Sequence, residues 1–185
     1  CIFNKVKTGC GATTIALSND ENYIIAVPTT ELIENKCYPV QDKDGIVRFW
    51  KKNERKAGLS PVVTNLFGLY GNFTLELKKK LKDYLSSAGI KKIICTYDKI
   101  DKLMEFINPV DFKLMVDEYH NFLKQYSFRD KAINGVLAHF KEFKSYCFLS
   151  ATPIPKDLKP SIFNGIPEYI ANWSESDEIT VYPYH

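Results

Sequence analysis

The sequence predicts an α/β fold in which a parallel β-sheet is covered by helices on both faces. Short apolar runs alternate along the chain with segments whose apolar residues recur at helical spacing, and this alternation is typical of parallel sheets. Several of the runs end in a polar or glycine-rich turn. Ligands of parallel sheets bind at the carboxyl ends of the strands, so we expect these turns to meet at one functional edge.

The first half of the chain contains two predicted strands and two predicted helices. Residues 22–27 form an apolar run that suits a buried strand, and residues 30–35 can form a short helix. Residues 62–70 are rich in β-forming side chains and predict a second strand. A second helix follows, with Asn72 or Thr74 as its cap. Its apolar face and the glycine at its end are Leu77, Leu81, Tyr84, Leu85 and Gly89.

The second half of the chain continues the same alternation. We expect strands at residues 92–97, 112–116 and 146–149. Residues 178–182 are either a last strand or the start of a link to another domain. Two helical stripes lie between these strands, the first formed by Ile100, Leu103, Met104 and Ile107 and the second by Ile133, Val136, Leu137 and Phe140.

Length and composition indicate one folded domain. The 185 residues are 45% hydrophobic and 14% aromatic, which argues against a disordered chain. The formal net charge of +3 is too small to require a nucleic-acid partner. Residues 38–61 form a basic, loop-like insertion, which is either a solvated loop or a contact for single-stranded nucleic acid. Its cations and aromatic residues are Arg48, Phe49, Trp50, Lys51, Lys52, Arg55 and Lys56.

The five cysteines are scattered and lack the spacing of a metal site, so we expect reduced thiols in an intracellular, cytoplasmic protein. No run reaches the roughly 18 apolar residues that a membrane span needs, and we expect no membrane partner. The chain begins at Cys1 without an initiator methionine, so we also expect that upstream residues are missing.

Two adjacent carboxylates end the predicted strand at residues 112–116. Asp117 and Glu118 follow three apolar residues, and His120 comes two positions later. Neighbouring carboxylates repel each other, so they need either a cation or an exposed setting. A Mg²⁺ site is one interpretation, and two solvated acids in a loop are the other.

A glycine-rich segment near the start of the chain has the shape of a phosphate-binding loop. Gly9 and Gly11 permit a tight backbone whose N–H groups approach phosphate oxygens at the start of a helix. Thr13 supplies a hydroxyl of the kind that binds Mg²⁺ in such loops. A plain glycine-rich turn is the alternative.

Together these segments resemble motifs I, II and III of the superfamily 2 helicases, the DEAD/DEAH-box-like group. Motif I in that family reads like A-x-T-G-x-G-K-T, motif II like D-E-x-H and motif III like S-A-T. They correspond here to residues 6–13, 117–120 and 150–152. The resemblance implies a RecA-like P-loop NTPase domain spanning residues 1–185, with the second RecA-like domain of such enzymes absent from this chain. It further implies an ATP-dependent helicase or translocase that contacts the backbone of DNA or RNA.

The resemblance also implies the roles of particular residues. ATP would be bound by Lys7, Thr8, Gly9, Cys10, Gly11, Ala12, Thr13 and Thr14. Mg²⁺ would be held by Thr13 and Asp117, and the catalytic residues would be Asp117, Glu118 and His120. The coupling residues would be Ser150, Ala151 and Thr152, to which His120 would couple the nucleotide site. The phosphate backbone of the nucleic acid would be contacted by Pro28, Thr29, Thr30, Gly71, Asn72 and Thr96.

Ala12 departs from the family pattern, because the family has a lysine at this position. Three explanations are open: Lys5 or Lys7 takes the role, the lysine was replaced by engineering, or the site is degenerate. The last explanation favours a different class of function, a nucleic-acid or protein binding module built on an inactive ATPase fold. A P-loop phosphotransferase is a third possibility, which the S-A-T segment argues against.

Overall fold

The computed structural model describes residues 1–34, 39–41, 47–49, 66–122, 130–173 and 179–184. The strands are β1 (Ile2–Asn4), β2 (Tyr23–Val27), β3 (Pro39–Gln41), β4 (Val47–Phe49), β5 (Leu66–Leu69), β6 (Lys92–Thr96), β7 (Lys113–Asp117), β8 (Ser145–Ser150), β9 (Glu168–Trp173) and β10 (Ile179–Tyr184). The α-helices are α1 (Ala12–Ser18), α2 (Thr30–Glu34), α3 (Leu75–Ser86), α4 (Ile100–Leu103) and α5 (Asp130–His139).

The predicted parallel sheet is present, and it has eight strands in the order β10-β9-β1-β8-β7-β2-β6-β5. Neighbouring strands pair in parallel, except that β10 runs antiparallel to β9. The tail of the described chain is therefore a strand of this sheet. The order places β8 between β1 and β7, so the ends of these three strands lie side by side.

Helices cover both faces of the sheet, as the sequence predicts. Alternate strand residues belong to two separate apolar clusters, because successive side chains of a strand point to opposite faces. In β2, Ile24 contributes to the cluster that includes residues of α3, α4 and α5, whereas Ile25 contributes to the cluster with α1 and α2. Both clusters are almost fully buried.

The start of α3 confirms the predicted cap. Thr74 is the N-cap residue, and its hydroxyl accepts a hydrogen bond of 3.2 Å from the backbone N–H of Leu77. This bond satisfies one of the N–H groups that the first helical turn leaves unpaired. Beyond the helix, Gly89 adopts a φ of 92°, a left-handed conformation that glycine adopts without strain.

Two details of the sequence prediction are wrong. The stripe from Ile100 to Ile107 does not form one helix, since α4 ends at Leu103 and turns follow. The segment then runs into Pro109, and the residue before a proline is disfavoured in helical conformation. The stretch 38–61 is not loop throughout, because β3 and β4 pair antiparallel within it. The rest of that stretch, and its basic and aromatic cluster, lie outside the described residues.

Every helix in the described part of the chain is too short or too polar to cross a lipid bilayer.

Candidate nucleotide-binding site

A cleft of about 340 Å³ lies at the carboxyl edge of the sheet, beside the ends of β1 and β7. The first two sequence motifs line it, and the third begins at the end of β8, the strand that lies between β1 and β7. The register pairs Asn4 with Ser150 and Asp117 with Leu149. The cleft is lined by Lys5, Gly9, Cys10, Gly11, Ala12, Thr13, Thr14, Leu17, Leu32, Asp117 and Glu118.

The glycine-rich loop forms one wall of this cleft and leads into α1. Gly9 has a φ of 72° and Gly11 a φ of 81°, values that side-chain-bearing residues rarely adopt. Among the described residues, a Cβ atom added to either glycine would meet no atom within 4 Å beyond its own chain neighbours, so crowding is absent there. Backbone conformation, and not crowding, therefore requires glycine at these positions.

The two carboxylates are neutralised by a lysine from the end of β1. The Lys5 ammonium donates hydrogen bonds of 2.7 Å to Asp117 Oδ1 and 2.8 Å to Glu118 Oε1. Lys5 and Asp117 are only 5% and 6% exposed. Burial by itself would lower the pKa of Lys5, but hydrogen bonds and charge from Asp117 and Glu118 outweigh it and raise that pKa. The cation that the carboxylate pair requires is thus supplied by the protein in this structure.

Asp117 is fixed from several directions. Its second carboxylate oxygen, Oδ2, accepts a hydrogen bond of 3.4 Å from the Thr13 hydroxyl on α1. Its backbone carbonyl accepts one of 2.5 Å from the buried Tyr97 hydroxyl. Burial, followed by the negative charges of Asp117 and Glu118, raises the pKa of Tyr97 well above its ordinary value. Tyr97 therefore stays a neutral donor to this carbonyl.

Two residues that carry side chains adopt left-handed backbone conformations beside the cleft. Val6 has a φ of 61° and Glu118 a φ of 55°. Such a conformation is unusual for any residue with a Cβ and more so for a β-branched one, and it costs on the order of 1–3 kcal/mol. Strain of this kind persists where the surrounding structure determines the backbone, and it is typical of functional sites.

His120 links the carboxylates to the end of β8. Its Nδ1 atom lies 2.8 Å from the Ser150 hydroxyl and 3.2 Å from Glu118 Oε2. The Ser150 hydroxyl donates its proton to the Thr152 carbonyl (2.6 Å) and accepts from the Thr152 N–H (2.9 Å). Because a hydroxyl has one proton, it must act as acceptor towards His120, which assigns the imidazole proton to Nδ1.

The structure brings most of the sequence-predicted nucleotide-site residues together. The segment from Gly9 to Thr14 lines the cleft with both carboxylates. Lys7 and Thr8 do not line it, and both are exposed. Ala151 follows directly after Ser150 at the end of β8.

Several residues around the cleft were not predicted from the sequence. Leu17 and Leu32 form its apolar side, and their spacing in short helices gives no functional signal. Tyr119, which the motif treats as variable, is a core residue whose ring packs against Phe148 and Phe163. Trp173 belongs to no motif, yet its indole N–H donates a hydrogen bond of 2.6 Å to the Lys5 carbonyl.

The predicted nucleic-acid contacts lie at the same edge of the sheet, on the neighbouring strands. Thr29 is exposed after β2, and Gly71 and Asn72 are exposed after β5. Pro28 is buried, and Thr30 begins α2. A phosphate contact by Thr96 implies a residue at the surface, and that implication is wrong, because Thr96 is 8% exposed and its side chain bonds to Asp98. Thr96 is the last residue of β6, where it pairs with Val27 of β2, and the bond to Asp98 in the turn that follows holds its side chain against the protein.

A glycine loop, a Thr–Asp pair and an adjacent glutamate at the ends of parallel strands are the arrangement found in P-loop NTPases. The family model for DEAD/DEAH box helicases matches residues 3–160, which is most of the chain. The chain therefore belongs to the DEAD/DEAH box helicase family. Among curated proteins, no sequence matches it.

A solved structure supports the fold assignment. The chain is similar to the crystal structure of the Pyrococcus furiosus Hef helicase domain, with a TM-score of 0.53 and 16% sequence identity. The match covers 89% of this chain but 33% of the other. The chain therefore spans about a third of that neighbour's length. At this identity the likeness concerns the RecA-like α/β fold.

Proposed function

We propose that this domain binds and hydrolyses ATP with Mg²⁺ and couples hydrolysis to movement on DNA or RNA. The observation that carries the proposal is the convergence of Thr13, Asp117 and Glu118 on one cleft beside the glycine loop. These groups come from α1 and from the end of β7, which are about a hundred residues apart in sequence. Their meeting at the carboxyl edge is what nucleotide binding on a parallel sheet requires.

The donor atoms suit a magnesium ion bound together with a nucleotide. Mg²⁺ prefers hard oxygen ligands and commonly takes one or two from the protein and the others from phosphates and water. The Thr13 hydroxyl and Asp117 Oδ2, which are 3.4 Å apart, would hold it. Such an ion supplies charge that stabilises the phosphates during transfer.

Glu118 and His120 would serve hydrolysis and coupling, in addition to nucleotide binding. Glu118 is less buried than Asp117, so its carboxylate can reach a water molecule in the cleft. We propose that Glu118 orients the water molecule that attacks the γ-phosphate. Glu118 contacts His120, which contacts Ser150, and Ser150 bonds to Thr152. Through these contacts, a change from ATP to ADP would alter the conformation of the residues at the end of β8.

Nucleic acid would cross the other half of this edge. The turns after β2 and β5 offer Thr29, Gly71 and Asn72 at the surface, where hydroxyl and N–H groups can contact phosphates. A second RecA-like domain would complete both sites by supplying arginine residues to the nucleotide. We expect this domain alone to hydrolyse ATP slowly for that reason.

Titration calorimetry with ATP, in the presence and absence of Mg²⁺, tests the proposal. The wild-type protein should bind ATP more tightly with Mg²⁺, and Asp117→Asn should remove most of that difference. Loss of one charged contact corresponds to about 10–100-fold in affinity. Asp157→Asn, which changes an exposed aspartate that does not line the cleft, is the matched control. Failure of the wild-type protein to bind ATP under either condition would refute the proposal.

Ala12 favours a second candidate function, an inactive P-loop domain that binds nucleic acid or protein. A lysine at this position would contact the β- and γ-phosphates, and without such a contact turnover suffers more than binding. The two candidates differ in one measurement. The binding module retains its affinity for nucleic acid whether ATP is present or not, whereas the helicase or translocase changes it on ATP binding.

A further inference from the structure

Two lysines, Lys5 and Lys7, precede the glycine loop, and the structure places their side chains differently. Lys5 lines the cleft, with its ammonium on Asp117 and Glu118. Lys7 is exposed, and its ammonium lies 5.8 Å from the centre of the Trp173 ring, in the range of a cation–π contact. The cleft wall also contains Ala12, the position from which the family's lysine would extend. Lys5 and Ala12, which stands where the family has its lysine, therefore face the same space.

The backbone of Lys5 is held by three hydrogen bonds. Its N–H donates to the Ser150 carbonyl at 2.7 Å, which continues the pairing of β1 with β8. Its carbonyl accepts from the N–H of Lys7 at 2.6 Å and from the indole N–H of Trp173 at 2.6 Å. A carbonyl oxygen has two acceptor positions, and both are used here. Trp173 ends β9, which pairs with β1 on the side opposite β8.

The bond between Lys5 and Lys7 closes a three-residue turn centred on Val6. A turn of this size with a positive central φ is rare and strained. Val6 is 49% exposed, so burial of its side chain does not explain the conformation. The turn separates the two lysines, so that Lys5 enters the cleft and Lys7 stays outside. Backbone strain beside a cleft, held by specific bonds, indicates a functional arrangement.

We propose that Lys5 supplies the ATP phosphates with the positive charge that the family takes from the lysine at position 12, and that Trp173 is a positioning residue for Lys5. The inference rests on the proposed function, because it requires ATP in the cleft. In the structure described here, the Lys5 ammonium neutralises Asp117 and Glu118. When a nucleotide enters the cleft, the flexible four-carbon stem of Lys5 lets its ammonium turn towards the phosphates. Trp173 fixes the point from which the stem extends.

Steady-state ATP turnover and ATP affinity of the intact protein test the role of Lys5. Lys5→Gln should weaken ATP binding about 10–100-fold and lower turnover further. Lys7→Ala should have a smaller effect on both quantities. Adding Ala12→Lys should recover much more activity in the Lys5→Gln protein than it adds to the wild-type protein. Lys79→Ala, at an exposed lysine of α3, controls for loss of surface charge.

A second set of variants leaves Lys5 in place, so the test does not depend on the folding of Lys5→Gln. Trp173→Phe keeps an aromatic ring but removes the hydrogen bond to Lys5. It should lower kcat by about tenfold through misplacement of the ammonium. Ala12→Lys should recover this loss, because a lysine on α1 does not depend on Trp173. A merely structural Trp173 would instead lower kcat equally with and without Ala12→Lys.

The possible outcomes separate this inference from the proposed function. If the wild-type protein hydrolyses ATP and Lys5→Gln does so equally well, the role of Lys5 is refuted and ATP hydrolysis stands. If Ala12→Lys gives equal gains in the wild-type, Lys5→Gln and Trp173→Phe proteins, the same conclusion follows. If the wild-type protein neither binds nor hydrolyses ATP, the proposed function itself fails.

Discussion

Asp117 and Glu118 are neighbours in sequence but have different surroundings. Asp117 is 6% exposed, and its two oxygens contact Lys5 and Thr13. Glu118 is more exposed, and its two oxygens contact Lys5 and His120. The left-handed conformation at Glu118 turns the chain between them, so the second carboxylate does not continue the strand direction. These differences fit a binding role for Asp117 and a water-orienting role for Glu118.

Glu118→Gln should therefore separate ATP binding from ATP hydrolysis. The amide keeps the shape of the side chain but cannot accept a proton, and general-base catalysis contributes about 10²–10⁴-fold to turnover. We expect turnover to fall by about that factor while ATP affinity changes less than about threefold. Phosphate release and equilibrium ATP binding are the two measurements.

Glu105→Gln serves as the control for this prediction, because Glu105 is an exposed carboxylate in the turn after α4. It should leave phosphate release at the wild-type rate. A Glu118→Gln protein that hydrolyses ATP at the wild-type rate would show that another group orients the water.

The sequence predicts some site residues better than others, for a physical reason. Asp117 and Thr13 follow from short motifs whose spacing is set by a strand end and a helix start. The choice between Lys5 and Lys7 depends on a turn at Val6, where a β-branched residue adopts a conformation against its intrinsic preference. Local propensity cannot predict that conformation, because tertiary contacts impose it. The part played by Trp173 is likewise visible only once β9 is placed beside β1.

At the scale of the elements, α5 is joined to α4 by a charged cluster. His139, in the last turn of α5, lies 2.7 Å from Glu142 Oε1 through Nδ1 and 3.2 Å from Asp101 Oδ1 through Nε2. Burial would lower the pKa of His139, but hydrogen bonds and charge from Glu142 and Asp101 raise it. Protonated His139 can donate to both carboxylates at once, which neutral imidazole cannot do.

This cluster should make part of the stability depend on pH. A raised folded-state pKa means that the contribution is fully present below the unfolded pKa of about 6.5 and is lost as pH rises through the folded pKa. His139→Gln should therefore lower the free energy of unfolding more at about pH 6 than at about pH 9. Because the cluster is partly exposed, we expect a difference of about 0.2–1 kcal/mol. Urea unfolding at both pH values measures it.

The result that would contradict this prediction is an equal effect of His139→Gln at the two pH values. Other titrating groups are common to both proteins, so they cancel in the difference between wild type and variant. Raising the salt concentration should reduce the pH-dependent part, since exposed charges are screened.

The elements themselves show where sequence patterns suffice. Buried strands such as β2 and β6 were predicted to within a residue or two, because continuous apolar runs flanked by polar turns specify them. The extent of α4 was not predicted correctly, because apolar residues at helical spacing can also reach the core from turns. Met104 and Ile107 are partly buried and pack against the core cluster that contains Leu103, although α4 has ended. Periodicity thus predicts the buried face more reliably than the backbone conformation.

At the scale of the whole molecule, the strand order divides one edge of the sheet into two regions. The ends of β1, β8 and β7 carry the proposed nucleotide site, and the ends of β2, β6 and β5 carry the turns proposed for nucleic acid. β7 and β2 are direct neighbours, with Val116 opposite Ala26. The two regions are therefore joined through paired strands, and a shift at Asp117 can reach the turn after β2 by a short path.

The two threonines proposed for nucleic-acid binding should now behave differently. Thr29 is exposed, so Thr29→Ala should weaken binding to single strands by a similar factor for unrelated sequences, with little change in stability. Thr96 is buried and bonds to Asp98, so Thr96→Ala should instead lower stability by about 0.5–1.5 kcal/mol. Fluorescence anisotropy and thermal unfolding distinguish these effects.

Salt dependence provides the decisive control for a phosphate-backbone track. Binding of single strands should weaken as salt rises, with a slope of about −0.7 for each phosphate neutralised. Threonine is uncharged and releases no counterion, so Thr29→Ala should lower the affinity without changing that slope. With a formal net charge of only +3, the wild-type affinity should be weak. Tight binding confined to one sequence and insensitive to salt would instead indicate base recognition, and the strand-end turns would no longer account for the contact.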